Sequence, residues 1–107
     1  MNETRLRGML GFAMRAGKIS IGTELVCTAM ASKKNPPKLV LVASSASEGS
    51  KKKVFTKCEF YEIKAVQLNM SAEELGSLLG KNFAPVTLGI MDEGFASEII
   101  KAIGEEI

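Results

Sequence analysis

The chain has 107 residues, of which 46% are hydrophobic and 24% charged, and a formal net charge of +2 at pH 7. This composition is typical of a single soluble globular domain, here residues 1–107. It has no histidine and only two widely separated cysteines, Cys27 and Cys58, which argues against zinc centres and Cys–His catalytic pairs. The longest apolar run, Leu39 to Ala43, is too short to cross a membrane. We expect a cytoplasmic, monomeric, non-enzymatic protein without cofactor or metal.

The charges are distributed unevenly along the chain. Residues 1–53 carry ten lysines and arginines against three glutamates, whereas residues 54–107 carry four lysines against nine acidic residues. Such an asymmetry between the two halves is an indication of nucleic-acid binding. The alternative is that a compact fold mixes the two halves in space and cancels the field.

The first third of the chain predicts a helix, a short strand and a second helix. Apolar residues recur at helical spacing from Glu3 to Ala16, and Ile19–Ile21 alternates as a half-buried strand does. Gly22 then permits a sharp bend, after which residues 23–25 begin a helix that ends near residues 32–34, before two prolines.

The bend at Gly22 is a candidate anion site. The amides of Thr23, Glu24 and Leu25 would be unpaired donors at a helix start, which carries partial positive charge and attracts phosphate. Arg15 and Lys18 stand just before the bend in the sequence and would add cations. The alternative is an ordinary strand-to-helix turn with two solvated cations.

The middle of the chain predicts a central strand and a lysine-rich helix. The aliphatic run Leu39 to Ala43 is typical of a strand covered on both faces. A third helix runs through residues 51–58 and carries Lys51, Lys52 and Lys53 in its first turn. Cations there oppose the helix dipole unless an anion offsets them. The alternative is that the lysine triplet is a solvated face.

The last third predicts strands over residues 61–68 and 86–91 around a helix that Ser71 and Glu74 cap as a capping box. A final helix follows Asp92, with an acidic exterior formed by Glu93, Glu98, Glu105 and Glu106. The regular alternation of strands and helices predicts an α/β fold with helices on both faces of a sheet.

Several strings in this order resemble one known family. They are Leu10 to Lys18, Gly22, Leu39 to Ala43, Ser47 with Lys51–Lys53, Glu74–Gly76 and Gly80–Lys81. Together they resemble the kink-turn-binding ribosomal protein family of the archaeal and eukaryotic large subunit, and within it the small bacterial stand-alone (YlxQ-like) paralogues. The resemblance covers nearly the whole chain.

The resemblance implies a three-layer α/β/α sandwich with a four-stranded mixed sheet, and RNA binding at one end of that sheet. It places RNA at the turn before the second helix, the start of the third helix and the loop before the last strand. The family reads its RNA with the string Gly-x-Asn-Glu-x-x-Lys. Here Gly22 matches, but Glu24 replaces the Asn, Leu25 the Glu and Thr28 the Lys, which predicts kink-turn recognition that is weakened, redirected or lost.

Our leading hypothesis is a protein that binds a structured RNA, either a kink-turn, ribosomal RNA or a regulatory RNA. Gly22 and the following amides would lie against the RNA backbone, the cations would neutralise phosphates, and Glu24 would contact a base edge. Phe83 and Pro85 would pack on an unstacked base, although Phe83 could instead anchor its loop in the core. The predicted RNA-binding residues are Arg15, Lys18, Gly22, Thr23, Glu24, Leu25, Lys51, Lys52, Lys53, Lys81, Asn82 and Phe83.

The alternative from another class is a protein-interaction module that kept the fold and lost its kink-turn affinity. The substitutions at positions 24, 25 and 28 favour it, with the acidic last helix as docking face. An enzyme that handles nucleotides is disfavoured, because the turn at Gly22 has neither a G-x-G-x-x-G nor a P-loop string.

Overall fold

The computed structural model describes residues 2–104, and the predicted order of helices and strands is confirmed within that range. Glu105 and Glu106, predicted on the acidic face of the last helix, lie outside the described residues. The elements are α1 (Glu3–Arg15), β1 (Ile19–Ile21), α2 (Thr23–Met30), β2 (Leu39–Val42), α3 (Glu48–Phe60), β3 (Ala65–Gln67), α4 (Ala72–Leu78), β4 (Thr87–Ile90) and α5 (Glu93–Gly104).

The strands form one mixed sheet of four strands in the order β1-β4-β2-β3. β4 is antiparallel to both β1 and β2, and β3 is parallel to β2. Ile90 pairs with Ile19 on one side and Leu39 on the other, and Leu88 pairs with Ile21 and Leu41. The predicted mixed four-stranded sheet is therefore confirmed, with β2 and β4 at its centre.

Helices cover both faces of the sheet, as the aliphatic run of β2 predicts. Leu39 and Leu41 belong to a buried cluster with residues of α1, α4 and α5, whereas Val40 and Val42 belong to a second cluster with residues of α2 and α3. All four side chains are fully buried, because alternate residues of a strand point to opposite faces. This arrangement is the predicted three-layer α/β/α sandwich.

The sheet has two ends with different connections. At the Gly22 end lie the β1–α2 bend at Gly22, residues 43–47, residues 68–71 and residues 79–86. At the opposite, Lys38 end lie residues 16–18, 31–38, 61–64 and 91–92. α2 and α3 both begin at the Gly22 end and run toward the Lys38 end.

Several predicted element boundaries were wrong; α2, predicted to end near residues 32–34, ends at Met30, and the largest differences concern β3 and α3. The strand predicted over residues 61–68 is only β3, because α3 continues to Phe60 and a turn follows in which Glu62 has a φ of 57°. α3 also begins three residues earlier than predicted, at Glu48, where the Ser47 hydroxyl accepts from the Ser50 amide at 3.1 Å. The lysine triplet therefore lies mostly in the second helical turn, where the dipole opposes cations less.

The two cysteines are core residues of the α2–α3 layer, as predicted. Cys27 and Cys58 are both free and buried, and they share a cluster with Val26 and Val54. Burial raises the pKa of the Cys58 thiol to about 11, so this thiol stays protonated and unreactive at neutral pH.

Candidate nucleic-acid interface

Gly22 forms the sharp bend that the sequence predicts. Its φ of 110° and ψ of 142° belong to a region that side chains with a Cβ rarely adopt. The Gly22 amide donates to the Thr87 carbonyl oxygen at 2.9 Å, and the Thr23 and Thr87 hydroxyls are hydrogen-bonded at 2.9 Å. The bend is thus fixed to the first residue of β4 on both sides of the turn.

The start of α2 presents unpaired amides, which is the geometry of an anion site. Gly22 supplies no side chain to cap the helix, and the first amide bonded back to it is that of Val26, which donates to the Gly22 carbonyl at 3.0 Å. Within residues 2–104 no acceptor is found for the amides of Thr23, Glu24 and Leu25. These three donors, together with the partial positive charge of the helix start, favour an anionic partner.

Glu24 is paired with a lysine of the neighbouring helix. Lys53 Nζ donates to Glu24 Oε1 at 2.6 Å, and both side chains are solvent-exposed. This hydrogen bond, with the added attraction of the charges, lowers the pKa of Glu24 and raises the pKa of Lys53. Glu24 and Lys53, both predicted as RNA contacts, are therefore brought together across α2 and α3.

Removing this lysine should return the Glu24 carboxyl to its ordinary behaviour. In the Lys53→Met variant we expect the pKa of Glu24 to rise, because the donor and its charge are lost. The ion pair favours the folded state only while Glu24 is ionised, so its contribution is present above the ordinary glutamate pKa and is lost as the pH falls through the lowered value. Carboxyl ¹³C NMR titration measures the shift. The pKa of Glu98, which Lys101 and Arg5 lower, should not change and serves as the control. An unchanged pKa of Glu24 in the variant would contradict the pairing.

The three lysines of α3 are not equivalent. Lys51 Nζ lies 3.6 Å from Glu48 Oε1 and is partly buried, and Lys53 is held by Glu24. Lys52 is exposed, and no ion-pair partner for it occurs in the part of the chain that the structure describes. Of the triplet, Lys52 is the cation most available to a phosphate.

The α4–β4 connection brings a second group of predicted residues to the Gly22 end. Lys81, Asn82 and Phe83 line an open cavity there, and the Phe83 side chain is 54% exposed, so it is not a core anchor. Pro85, by contrast, is buried, and the expectation that it packs on a base is wrong. The connection lies close against α4 because Gly76 has no side chain: a Cβ there would lie 2.2 Å from the Phe83 carbonyl oxygen.

Arg15 and Lys18 do not lie beside the bend, and this part of the prediction was wrong. The Lys18 carbonyl accepts from the Met91 amide at 2.8 Å, which places Lys18 at the Lys38 end. An extended chain rises about 3.3 Å per residue, so β1 holds the Cα atoms of Lys18 and Gly22 about 13 Å apart. Arg15, at the end of α1, stacks on the exposed Phe12 ring, 4.8 Å from its centroid.

The fold also brings some basic residues of the first half of the chain into contact with acidic residues of the second half. On the face opposite α2 and α3, Arg5 is paired with Glu98 at 2.9 Å and Arg7 with Glu74 at 3.0 Å. These pairs neutralise N-terminal arginines with acidic residues from the second half. The excess of positive charge in residues 1–53 is therefore not all available to one partner.

Two residues of this end were missed by the sequence reasoning. Thr87 is completely buried, and its hydroxyl is hydrogen-bonded to that of Thr23, which positions the bend. Its signal was a hydroxyl at the start of an otherwise aliphatic strand. Gly76 positions the Phe83 segment, and its signal was a glycine within a well-capped helix.

Neither a metal site nor a membrane-spanning helix is found among the described residues. No group of three or more histidine, cysteine, aspartate or glutamate residues within residues 2–104 could hold a metal ion. None of the helices in the same range is both long and apolar enough to span a bilayer.

Comparison with known proteins gives consistent results. The model of the ribosomal protein L7Ae/L30e/S12e/Gadd45 family matches residues 4–100. The RNA-binding protein YlxQ of Enterococcus faecium is 38% identical over 97 residues, which cover 91% of this chain and 89% of the relative. The large ribosomal subunit protein eL30 of Sulfurisphaera tokodaii is 33% identical over 103 residues, covering 96% and 91% of the two chains.

A solved structure has the same fold. A protein from Bacillus halodurans C, described as of unknown function, superposes with a TM-score of 0.85 at 31% identity, covering 94% of this chain and 98% of the other. The resemblance drawn from the sequence strings is therefore confirmed, and the chain belongs to the ribosomal protein L7Ae/L30e/S12e/Gadd45 family.

Proposed function

We propose that this protein is a non-enzymatic, monomeric, cytoplasmic RNA-binding protein that holds a structured RNA of the kink-turn type at the Gly22 end. One observation carries the proposal: the unpaired amides of residues 23–25 lie at the same end of the sheet as Lys52 and as the connection that bears Lys81. The printed names of the YlxQ and eL30 relatives, an RNA-binding and a ribosomal protein, add support.

The proposed site has three parts with different tasks. The amides after Gly22 donate hydrogen bonds to a phosphate at the start of α2, as amides at helix starts commonly do. Lys52 and Lys81 neutralise further phosphates and position the RNA without reading its sequence. Phe83 offers an exposed ring on which an unstacked base packs, which is a common mode of RNA recognition.

The base-reading part of the site is altered relative to the family string. Glu24 keeps an acceptor that guanine amino or imino groups can reach, although Lys53 occupies it in the free protein. Leu25 is 57% exposed and has no side-chain hydrogen-bonding group. Each bidentate pair lost at a base edge removes about 1–3 kcal/mol of discrimination, by analogy with duplex readout. We therefore propose weaker discrimination of G·A pairs with a largely retained backbone affinity.

A titration with three RNAs tests the proposal. We expect a kink-turn RNA to bind more tightly than a variant without its G·A pairs, and both more tightly than a plain duplex. If four phosphates are neutralised, the affinity should fall about a hundredfold between about 50 and 200 mM salt. Fluorescence anisotropy of end-labelled RNA measures both quantities.

The other outcomes are equally informative. Equal affinity for the three RNAs would reduce the site to a general basic surface and contradict kink-turn recognition. No binding to any RNA at low salt would overturn RNA binding altogether. That result would favour a protein-interaction module, for which the exposed Leu25 at the bend is the supporting observation.

A further inference from the structure

A groove between α2 and α3 leads away from the Gly22 end. The two helices run side by side in the same direction, and residues of both line the groove. Glu24 and Lys53 are paired at the Gly22 end of the groove. Toward the Lys38 end, the groove is lined by Cys27, Thr28 and Ala31 on the α2 side and by Lys57 and Tyr61 on the α3 side. Because a helix rises 1.5 Å per residue, the groove from Lys53 to Tyr61 is about 12 Å long.

One wall of this groove combines cations with an aromatic end. Lys53 and Lys57 on α3 and Tyr61, which follows its last residue, are spaced four residues apart, so they form one stripe along the helix. Lys57 is exposed, and among residues 2–104 it has no ion-pair partner within bonding distance. Tyr61 packs edge-to-face on Phe60, with ring centroids 4.9 Å apart, and Phe60 is 77% exposed.

This wall has the two elements with which proteins hold single-stranded nucleic acid. Lysines along a groove follow the phosphates, and exposed aromatic rings stack with bases. The opposite wall, formed by Thr28, Ala31 and Cys27, is uncharged beyond Glu24 and leaves space for the strand. The groove begins at the Glu24–Lys53 pair, next to the bend at which we propose that the structured RNA binds.

We propose that the α2–α3 groove holds a single-stranded extension of the RNA that is bound at the Gly22 end. Lys57 contacts a phosphate of the extension, and the Tyr61 ring stacks with one of its bases. This inference rests on the proposed function, because the single-stranded extension enters the groove where the structured RNA leaves the bend. It adds a class of ligand, a structured RNA with an unpaired flank, to the RNA-binding activity.

The chain carries its own reporter for this groove. Tyr61 is the single tyrosine, and the protein has no tryptophan, so tyrosine fluorescence reports on the aromatic end of the groove alone. We expect a short oligouridylate to quench this emission saturably after correction for absorption. Lys57→Ala should weaken the quenching titration at least about fivefold, whereas Lys101→Ala on α5 should leave it unchanged. A base stacking interaction contributes about 1–3 kcal/mol. Tyr61→Ala should therefore lower the oligouridylate affinity, measured by anisotropy, at least as much as Lys57→Ala does. Tyr61→Phe, which keeps the ring, should not.

A second titration separates this inference from the proposed function. A structured RNA should bind at least about fivefold more tightly with an unpaired flank than without it, and Lys57→Ala should abolish the difference while leaving the flank-free affinity unchanged. Tight binding of the structured RNA with no gain from any flank would overturn the groove inference alone. Quenching by oligouridylate without affinity for structured RNA would support the groove and overturn the proposed function. Absence of both signals would overturn both.

Discussion

Replacing Gly76 by alanine is expected to lower the free energy of unfolding by about 1–3 kcal/mol, the range found when extra atoms are forced into a packed region. The new Cβ would lie 2.2 Å from the Phe83 carbonyl oxygen and 3.3 Å from Pro85. The first contact is with backbone, which cannot rotate away as a side chain can. Either α4 or the segment carrying Lys81 and Phe83 must move.

Urea unfolding measures this loss, and Gly8→Ala is the matched control. Gly8 lies within α1 with no atom within 4 Å of a Cβ built there, so alanine should be neutral or stabilise by up to about 1 kcal/mol through its helix propensity. Because the Phe83 segment is displaced, Gly76→Ala should also weaken RNA binding. Equal stability of the two variants would contradict the close approach of Phe83 to α4.

Reversing the charge of Lys52 is expected to weaken RNA binding without unfolding the protein. Hydrogen bonds to charged groups contribute about 1.5–3 kcal/mol, so the loss of one phosphate contact corresponds to about ten- to hundredfold in affinity. Lys52 is exposed and makes no ion pair within residues 2–104. Lys52→Glu should therefore leave the free energy of unfolding nearly unchanged.

Lys64→Glu is the control for net charge, because Lys64 is also exposed but lies at the Lys38 end. It should reduce the affinity for structured RNA far less than Lys52→Glu. Unchanged affinity in Lys52→Glu would remove this lysine from the site. An equal loss in both variants would mean that RNA responds to net charge rather than to the Gly22 end.

The elements that the sequence predicted well are those with a strong local signal. The aliphatic run of β2 and the capping box at Ser71 and Glu74 are both present in the structure. The start of α3 was harder to predict, because three serines, Ser44, Ser45 and Ser47, precede the helix and each is a reasonable cap. The length of β3 depends on its pairing with β2, which a single segment does not encode.

The residues of the candidate site also differ in how well a local sequence signal predicts them. Gly22 carries a local signal, a glycine between strand and helix, and its backbone is as unusual as predicted. Arg15 and Lys18 were misplaced because proximity in sequence was taken for proximity in space, whereas β1 is extended between them and the bend. Thr87 joins the bend through strand pairing between distant segments, and the hydroxyl at the start of its strand does not indicate which segment it contacts.

In the ion pair between Glu24 and Lys53, a carboxylate of the protein competes with a ligand phosphate for the lysine. The carboxylate occupies, in the free state, a lysine that an incoming phosphate would otherwise take. Exposed pairs of this kind hold together weakly, by about 0–1 kcal/mol, so a polyanion can displace the carboxylate at little cost. A single small anion has to offset this cost with one contact, whereas a polyanion offsets it with several. Under the proposed function, this competition favours a ligand with several phosphates in register over free phosphate in solution.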